Sequence, residues 1–169
     1  LNETDQAYYT ARNILNDKES ALRHNVKAKE QLEYFDKEGK ILMSAAFENA
    51  APLLGEGDTI ASMENTLNDF QNILGSILYI SLTWNGENRF GGGAFKEGIG
   101  IKEEGKELLR LMNRKKIAVD LSHASDALAY DILTTIEKER MTLPVIASHS
   151  NARSVHNQAR NLPDELVQE

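Results

Sequence analysis

The sequence contains no cysteine among its 169 residues. Disulfide bonds, thiolate catalysis and cysteine-ligated zinc sites are therefore excluded, and any metal must be bound by histidine and carboxylate side chains. Basic residues are in the minority, with 19 Lys and Arg against 26 Asp and Glu, and no basic run is interleaved with aromatic residues. We therefore expect no nucleic-acid partner. No apolar run approaches the roughly 20 residues that cross a bilayer, so we expect no membrane contact from this segment.

The composition is that of a soluble globular protein, with 41% hydrophobic and 27% charged residues. The length suits one domain or part of one. Because the chain begins with Leu1 and stops at Glu169, just after what reads as the opening of a helix, we expect both ends to be cut from a longer protein. A targeting segment would lie outside what is present, so the sequence assigns no cellular compartment.

Four short apolar runs recur along the chain, and each ends in a polar or aromatic residue. Each run is largely uncharged and rich in Ile, Val or Leu, which is typical of parallel strands that are buried on both faces. The runs are ILMSAAFE (Ile41 to Glu48), ILYISLTW (Ile77 to Trp84), IAVDLSH (Ile117 to His123) and LPVIASH (Leu143 to His149).

Segments with helical periodicity separate these runs. Asp58 and Ser125 are predicted to be the N-cap residues of two of the helices, because short polar side chains can accept a hydrogen bond from the first turn. The predicted inward positions are Ile60, Met63, Leu67, Phe70 and Leu74 after Asp58; Leu108, Leu109 and Met112 in a helix from Lys102 to Arg114; and Leu128, Ile132, Leu133 and Ile136 after Ser125. The polar segment from Glu3 to Glu38 is predicted to form one or two surface helices.

The alternation of strand and helix predicts right-handed βαβ crossovers and a parallel sheet. We expect a (β/α)₈ TIM barrel, of which this chain supplies roughly the middle half, because a complete barrel needs about 250 residues. Residues 1–169 would then form a single partial domain, with a helical segment over 1–38 and central βα units over 39–169. An open doubly wound sheet is the competing architecture.

The residues at the predicted strand ends are the candidates for chemistry, because ligands gather at the carboxyl ends of parallel strands. Of the four, Glu48, His123 and His149 are good zinc ligands, and two imidazoles with a carboxylate form a common catalytic zinc set. A single such histidine would more often hydrogen-bond a loop, and Glu48 alone could equally accept loop N–H groups. Two SH dipeptides at the ends of successive strands favour metal binding.

Other polar residues have weaker patterns. Asp120 lies within the third predicted strand, where alternation places it on the opposite side from His123, and we expect a mainly structural role with a buried partner. His24 is predicted to be solvated in a polar helix. His156 follows the last strand in a loop, where it could face either solvent or substrate.

Three features near the strand ends relate to a substrate. Trp84 could form one wall of a ligand pocket or only pack on the barrel rim. Arg153 and Arg160 follow the last strand, and an arginine near a metal suits a substrate carboxylate, although a loop arginine is by default solvated. The glycine-rich segment NGENRFGGGAFKEGIG (85–100) lacks the spacing of phosphate-binding motifs, so we expect a flexible active-site loop there.

Several of these motifs together resemble the renal or membrane dipeptidase family of zinc peptidases. The resemblance covers about Ile41 to Glu169, and its most specific features are the paired SH dipeptides and the RN pair at the end. The matching segments are AAFEN (45–49), YISLTWNGEN (79–88), MNRKKIAVDLSHASD (112–126), PVIASHSNARSV (144–155) and ARNLPDEL (159–166).

The resemblance implies a (β/α)₈ barrel that hydrolyses dipeptides, including those with a C-terminal D-residue, with two zinc ions and a bridging hydroxide. Glu48 matches the carboxylate that bridges the metals, and His123 and His149 match two imidazole ligands of one metal. Arg160 matches the arginine that holds the substrate's C-terminal carboxylate, and the expected partner is therefore a dipeptide.

The chain also departs from the family's pattern. It has no H-x-D pair for the second zinc and no strand-end Asp for proton transfer, so at most one zinc ligand set is complete and we assign no catalytic residue. Trp84 stands where renal members have a substrate-contacting His. A Trp at this position resembles the pattern of some bacterial relatives. The alternatives are a truncated or degenerate barrel fragment that binds metal or a partner without catalysis, and another hydrolase such as an amidohydrolase. The two unpaired sheet edges of a half-barrel would favour homo-oligomers.

Overall fold

The structure, a computed structural model, describes residues 44–168 of the chain. The surface helices predicted over Glu3–Glu38 and the beginning of the first predicted strand lie outside this range. Four strands alternate with helices, as the sequence predicts. The elements are β1 (Ala45–Phe47), a short 3₁₀ helix (Ala51–Leu53), α1 (Ile60–Leu74), β2 (Ile77–Ser81), α2 (Glu103–Lys115), β3 (Ala118–Asp120), α3 (Asp126–Lys138), β4 (Val145–Ile146) and α4 (Asp164–Val167).

The strands form one parallel sheet in the order β1-β2-β3-β4. Each βαβ crossover therefore moves to the next strand in the same direction, as in a barrel, whereas a doubly wound sheet reverses its strand order at a switch point. The register aligns Ser81 with Asp120, and Asp120 with Ile146. Residues that follow these three therefore leave the sheet at one common edge.

The helices bury most of the apolar positions that the periodicity predicts. The prediction for Ile60 is wrong, because this first residue of α1 lies at the helix end and is 41% exposed. Met63, Leu67 and Phe70 of α1 are buried, and the Phe70 ring lies edge to face with Phe47 of β1, with 4.8 Å between ring centroids. Each fully buried side chain of this size contributes about 1.5–3 kcal/mol. By contrast, Leu78 of β2 is 58% exposed, so the described residues leave part of one sheet face uncovered.

The two predicted N-caps have different outcomes. Ser125 is the N-cap of α3, and its Oγ accepts a hydrogen bond from the Leu128 N–H at 3.0 Å, which confirms the prediction. The prediction for Asp58 is wrong, because α1 begins one residue later with Thr59 as its N-cap. The Asp58 carboxylate instead accepts the Gly55 N–H at 2.8 Å, which closes the preceding turn. Within residues 44–168, no helix is both long and apolar enough to cross a membrane.

Candidate metal centre

Three side chains from three different strands meet at the carboxyl edge of the sheet. Glu48 follows β1, His123 follows β3 and His149 follows β4, and one ligand atom from each lies within 4.8 Å of the others. The Oε1 atom of Glu48 is 3.1 Å from Nε2 of His123 and 3.4 Å from Nε2 of His149. The structure thus brings together the three residues that the sequence singled out as zinc ligands, which we call the Glu–His–His group.

The outer nitrogen of each imidazole has a hydrogen-bond partner away from the group. Nδ1 of His123 is 2.9 Å from the side-chain oxygen of Asn85, which only accepts, so this nitrogen carries the hydrogen. Nδ1 of His149 is 2.7 Å from Oγ of Ser148, whose own hydrogen is donated to Asp120. Both Nε2 atoms are consequently unprotonated and face the Glu48 carboxylate, and that of His123 also lies 3.3 Å from Nη2 of Arg160. Lone pairs at such distances repel unless a cation lies between them, so this donor set fits a divalent metal.

His123 is held as a neutral imidazole by its surroundings. It is only 6% exposed, and burial is the main cause that lowers its pKa, followed by the positive charge of Arg160; the Glu48 carboxylate opposes both. Neutral imidazole is the form that binds metal ions.

The backbone at His123 adopts a conformation that is uncommon for residues other than glycine. Its φ angle is 66°, in the left-handed region, which costs on the order of 1–3 kcal/mol and persists only where the surroundings enforce it. The buried Thr83 provides part of that restraint, because its hydroxyl donates to the His123 carbonyl at 3.1 Å. The turn after β3 therefore orients the imidazole, and the backbone at His123 is strained as a result.

Asp120, at the end of β3, is buried and connects three strand ends. Its carboxylate accepts hydrogen bonds from the hydroxyls of Ser81 and Ser148 and from the N–H groups of Ser122 and Ser148. Burial alone would raise the pKa of Asp120, but these hydrogen bonds outweigh it and lower the pKa. The expected partners are present, and Ser81 and Ser122 are themselves buried. Because β3 ends at Asp120, strand alternation does not extend to His123.

Two further predicted residues lie beside the Glu–His–His group. Trp84 is 38% exposed, and the centroid of its ring lies 6.0 Å from that of the His123 ring. Nη2 of Arg160 is 3.3 Å from Nε2 of His123 and 3.3 Å from the carbonyl oxygen of His149. Nε of Arg160 is buried and is the one such side-chain polar atom of residues 44–168 without a hydrogen-bond partner.

Arg153 is not at this site, although the sequence placed it alongside Arg160. Its guanidinium forms a two-pronged ion pair with Asp126 at 2.6 and 2.7 Å, and it also donates to the carbonyl oxygens of Ala159 and Asn161. Arg153 therefore stabilises the loop that carries Arg160. His156 is exposed and outside the group, and His24 lies outside the described residues.

The central glycines of the segment in which we expected a flexible loop are packed, whereas residues 95–98 that follow them are exposed. Gly91, Gly92 and Gly93 are buried, and short bridges join Gly91 to Ile101 and Gly93 to Ala124. A Cβ atom on Gly93 would overlap the carbonyl oxygens of Trp84 and Gly86. The glycines are thus required because two backbone segments touch here, next to the residues that surround His123.

Sequence reasoning did not identify the residues that orient the two histidines. Asn85 and Ser148 contact Nδ1 of His123 and of His149, respectively. Ser148 carried a detectable signal, because each SH dipeptide places a hydroxyl beside an imidazole. Asn85 carried none, since it is 38 residues from His123 along the chain.

Comparison with known proteins identifies the family of the chain. The chain matches the membrane dipeptidase family, peptidase family M19, over residues 1–169. Dipeptidase 3 from Rattus norvegicus is 44% identical over 69 residues, which make up 41% of this chain and 13% of the rat protein.

Solved structures share the fold. An amidohydrolase from Pseudomonas aeruginosa is 23% identical with a TM-score of 0.68, over 94% of this chain and 44% of that one. A metallo peptidase from Rhodobacter sphaeroides, solved with a phosphinate mimic of the dipeptide L-Ala-D-Ala, is 22% identical with a TM-score of 0.68, over 87% of this chain and 40% of that one. This chain spans less than half the length of each of these proteins. The resemblance seen in the motifs and the predicted α/β barrel class are confirmed, and the chain belongs to the membrane dipeptidase family of metallopeptidases.

Proposed function

We propose that this chain provides one metal site of a zinc-dependent dipeptidase, with Glu48, His123 and His149 as the protein ligands. The observation that carries the proposal is the convergence of these ligand atoms within 4.8 Å at the carboxyl edge of a parallel sheet. That edge is where enzymes of this architecture place their reactive groups. Two neutral imidazoles and one carboxylate are a ligand set that zinc accepts while one coordination position stays open.

The zinc ion would supply Lewis-acid chemistry, polarising the scissile carbonyl and lowering the pKa of water toward about 7. The chain's own residues hold and orient the site. Asn85 and Ser148 keep hydrogens on the outer nitrogens, so both Nε2 atoms remain unprotonated toward the metal position. Glu48, which the family resemblance identifies as the metal-bridging carboxylate, is 61% exposed in its side chain and so leaves room for a second ion on its open side.

Arg160 is proposed to bind the C-terminal carboxylate of the substrate. Arg160 is partly exposed and its guanidinium lies against His123. The Nη2 contacts to His123 and to the His149 carbonyl are both long, at 3.3 Å, so this group can turn toward an incoming carboxylate. An arginine can hold a carboxylate with two parallel hydrogen bonds, which fixes the orientation of the substrate as well as its position. Trp84, with its partly exposed ring near His123, is proposed as an apolar wall of the same pocket.

The proposed substrates are dipeptides, including those with a C-terminal D-residue. The Rhodobacter sphaeroides metallo peptidase, which shares the fold, was solved with a mimic of L-Ala-D-Ala. We also propose that residues 39–169 are central βα units of one barrel domain. The sequence contains no H-x-D pair for a second zinc, so turnover is assigned to the complete protein.

The test measures zinc stoichiometry by elemental analysis and hydrolysis of L-Ala-L-Ala and L-Ala-D-Ala by the full-length protein. His149→Ala should lose zinc and activity, because it removes one of the imidazole ligands. His156→Ala is the matched control, since this exposed histidine lies only seven positions further along the same segment. Equal zinc content in both variants would overturn the ligand assignment. Zinc binding without hydrolysis of either dipeptide would favour a metal-binding protein without this activity or a different hydrolase.

A further inference from the structure

Asp120 uses its two oxygens to organise the strand ends around the metal position. Oδ1 accepts the N–H groups of Ser122 at 3.1 Å and of Ser148 at 2.8 Å. Oδ2 accepts the hydroxyls of Ser81 and Ser148, each at 2.7 Å. All of these donors are neutral, and Asp120 takes part in no ion pair within residues 44–168. Its buried negative charge is therefore stabilised by hydrogen bonds without a neighbouring side-chain cation.

Ser148 connects the Asp120 carboxylate to His149 through hydrogen bonds. Its Oγ is also 2.7 Å from Nδ1 of His149. A hydroxyl has a single hydrogen, and because Ser148 donates that hydrogen to Asp120, its lone pair must accept Nδ1–H of His149. This order of donors fixes one tautomer of His149, with Nε2 unprotonated and facing Glu48.

We propose that Asp120 and Ser148 are positioning residues of the metal site, with the carboxylate acting on His149 through the Ser148 hydroxyl. This role rests on the proposed function, since it requires that His149 bind a metal. A hydrogen-bonded carboxylate behind a ligand imidazole fixes the orientation of the ring and raises its basicity. Here a serine carries that influence, because Asp120 contacts the hydroxyl and not the imidazole.

A comparison with Ser81 can distinguish a purely structural role of Asp120 from a positioning role. Its hydroxyl binds the same Oδ2 atom at the same 2.7 Å as that of Ser148, but among the residues described it forms no hydrogen bond with either histidine. Ser81 is fully buried, whereas Ser148 is exposed. Removing the Ser81 hydroxyl should therefore cost at least as much folding stability. Only removal of the Ser148 hydroxyl should change His149.

The experiment compares Ser148→Ala, Ser81→Ala and Ser148→Thr in the full-length protein. Zinc affinity is measured by competition with a chromogenic chelator, and unfolding is measured on the metal-free protein. Ser148→Ala should weaken zinc binding by roughly 10- to 100-fold, the usual effect of losing such an outer partner. Ser148→Thr keeps the hydroxyl and should restore affinity, and Ser81→Ala should bind zinc like the wild type. Nitrogen NMR of metal-free protein should show the Nδ1–H tautomer of His149 in the wild type and a tautomer mixture in Ser148→Ala.

Each contrary result has a distinct meaning. Equal losses of affinity in Ser81→Ala and Ser148→Ala would reduce Asp120 to a structural role and overturn the inference. If Ser148→Ala binds zinc like the wild type while His149→Ala does not, the positioning role fails and the metal site stands. Equal zinc binding by the wild type and His149→Ala would overturn the proposed metal site and, with it, this role.

Discussion

The side-chain oxygen of Asn85 lies 2.9 Å from Nδ1 of His123, across a separation of 38 residues. This contact holds the hydrogen of His123 on Nδ1 and leaves Nε2 directed toward Glu48. Asn85→Ala should therefore weaken zinc binding about 10-fold, because the ring loses its fixed orientation and tautomer. Chelator competition measures the affinity, and thermal unfolding of the metal-free protein should change little because Asn85 is partly exposed.

Asn85→Asp is the matched control for this contact. A carboxylate keeps the acceptor at the same position, so zinc affinity should be retained or increased. Wild-type affinity in Asn85→Ala would show that the Nδ1 contact does not orient His123 for metal binding.

The location of the site was predictable because it depends on a rule about parallel sheets. Side chains that follow parallel strands leave the sheet at one edge, so runs ending in Glu48, His123 and His149 were enough to predict that the three lie together. The orienting contacts were not predictable in this way. Asn85 reaches His123 only through the path of a packed loop, which a single sequence does not specify.

Helix starts show a second limit of prediction, which arises when two local partners compete for one side chain. The Ser125 cap depends on a contact three residues away and was predicted correctly. Asp58 has an equally suitable side chain, but its carboxylate is used by the N–H of Gly55 in the preceding turn. Residue type alone does not decide between two local partners that compete for one acceptor.

The Ser125 cap leads to a prediction about stability. Its Oγ accepts from the Leu128 N–H at 3.0 Å and donates to the Ile99 carbonyl at 2.7 Å, and the residue is 2% exposed. Ser125→Ala should lower the free energy of unfolding by about 1–2 kcal/mol, because it leaves a helix N–H and a carbonyl unpaired. Thr59→Ala is the control, since Thr59 caps α1 without a side-chain hydrogen bond. Denaturant unfolding that finds equal losses in both variants would contradict this account.

Gly93 leads to a prediction that connects stability with metal binding. A Cβ here would overlap the carbonyl oxygens of Trp84 and Gly86, which are backbone atoms and cannot rotate away. Gly93→Ala should therefore cost about 1–3 kcal/mol of folding stability. It should also weaken zinc binding, because the displaced segment includes Asn85. Gly86→Ala is the comparison, because a Cβ there has nothing within 4 Å and its φ lies outside the left-handed region. Similar stability and zinc affinity in the two variants would mean that the loop backbone shifts to accept the Cβ atom without disturbing the site.

The ion pair of Arg153 with Asp126 connects loop geometry to substrate binding. The guanidinium reaches both carboxylate oxygens, at 2.6 and 2.7 Å, and also donates to the carbonyl oxygens of Ala159 and Asn161, on either side of Arg160. Lysine has one ammonium group and cannot reproduce this set. Arg153→Lys should therefore raise KM for a dipeptide about 5-fold, which corresponds to about 1 kcal/mol, and leave kcat nearly unchanged.

The reason for a KM effect is that Arg160 would be less well placed for the substrate carboxylate, while the Glu–His–His group stays intact. Steady-state kinetics of the full-length protein with L-Ala-D-Ala measures both constants. Arg114→Lys is the matched control, because its pair with Glu64 is longer at 3.3 Å and about half exposed on each side. A fall in kcat at constant KM would place the effect of Arg153 on the reacting groups, and unchanged kinetics would show that the loop holds Arg160 without this pair.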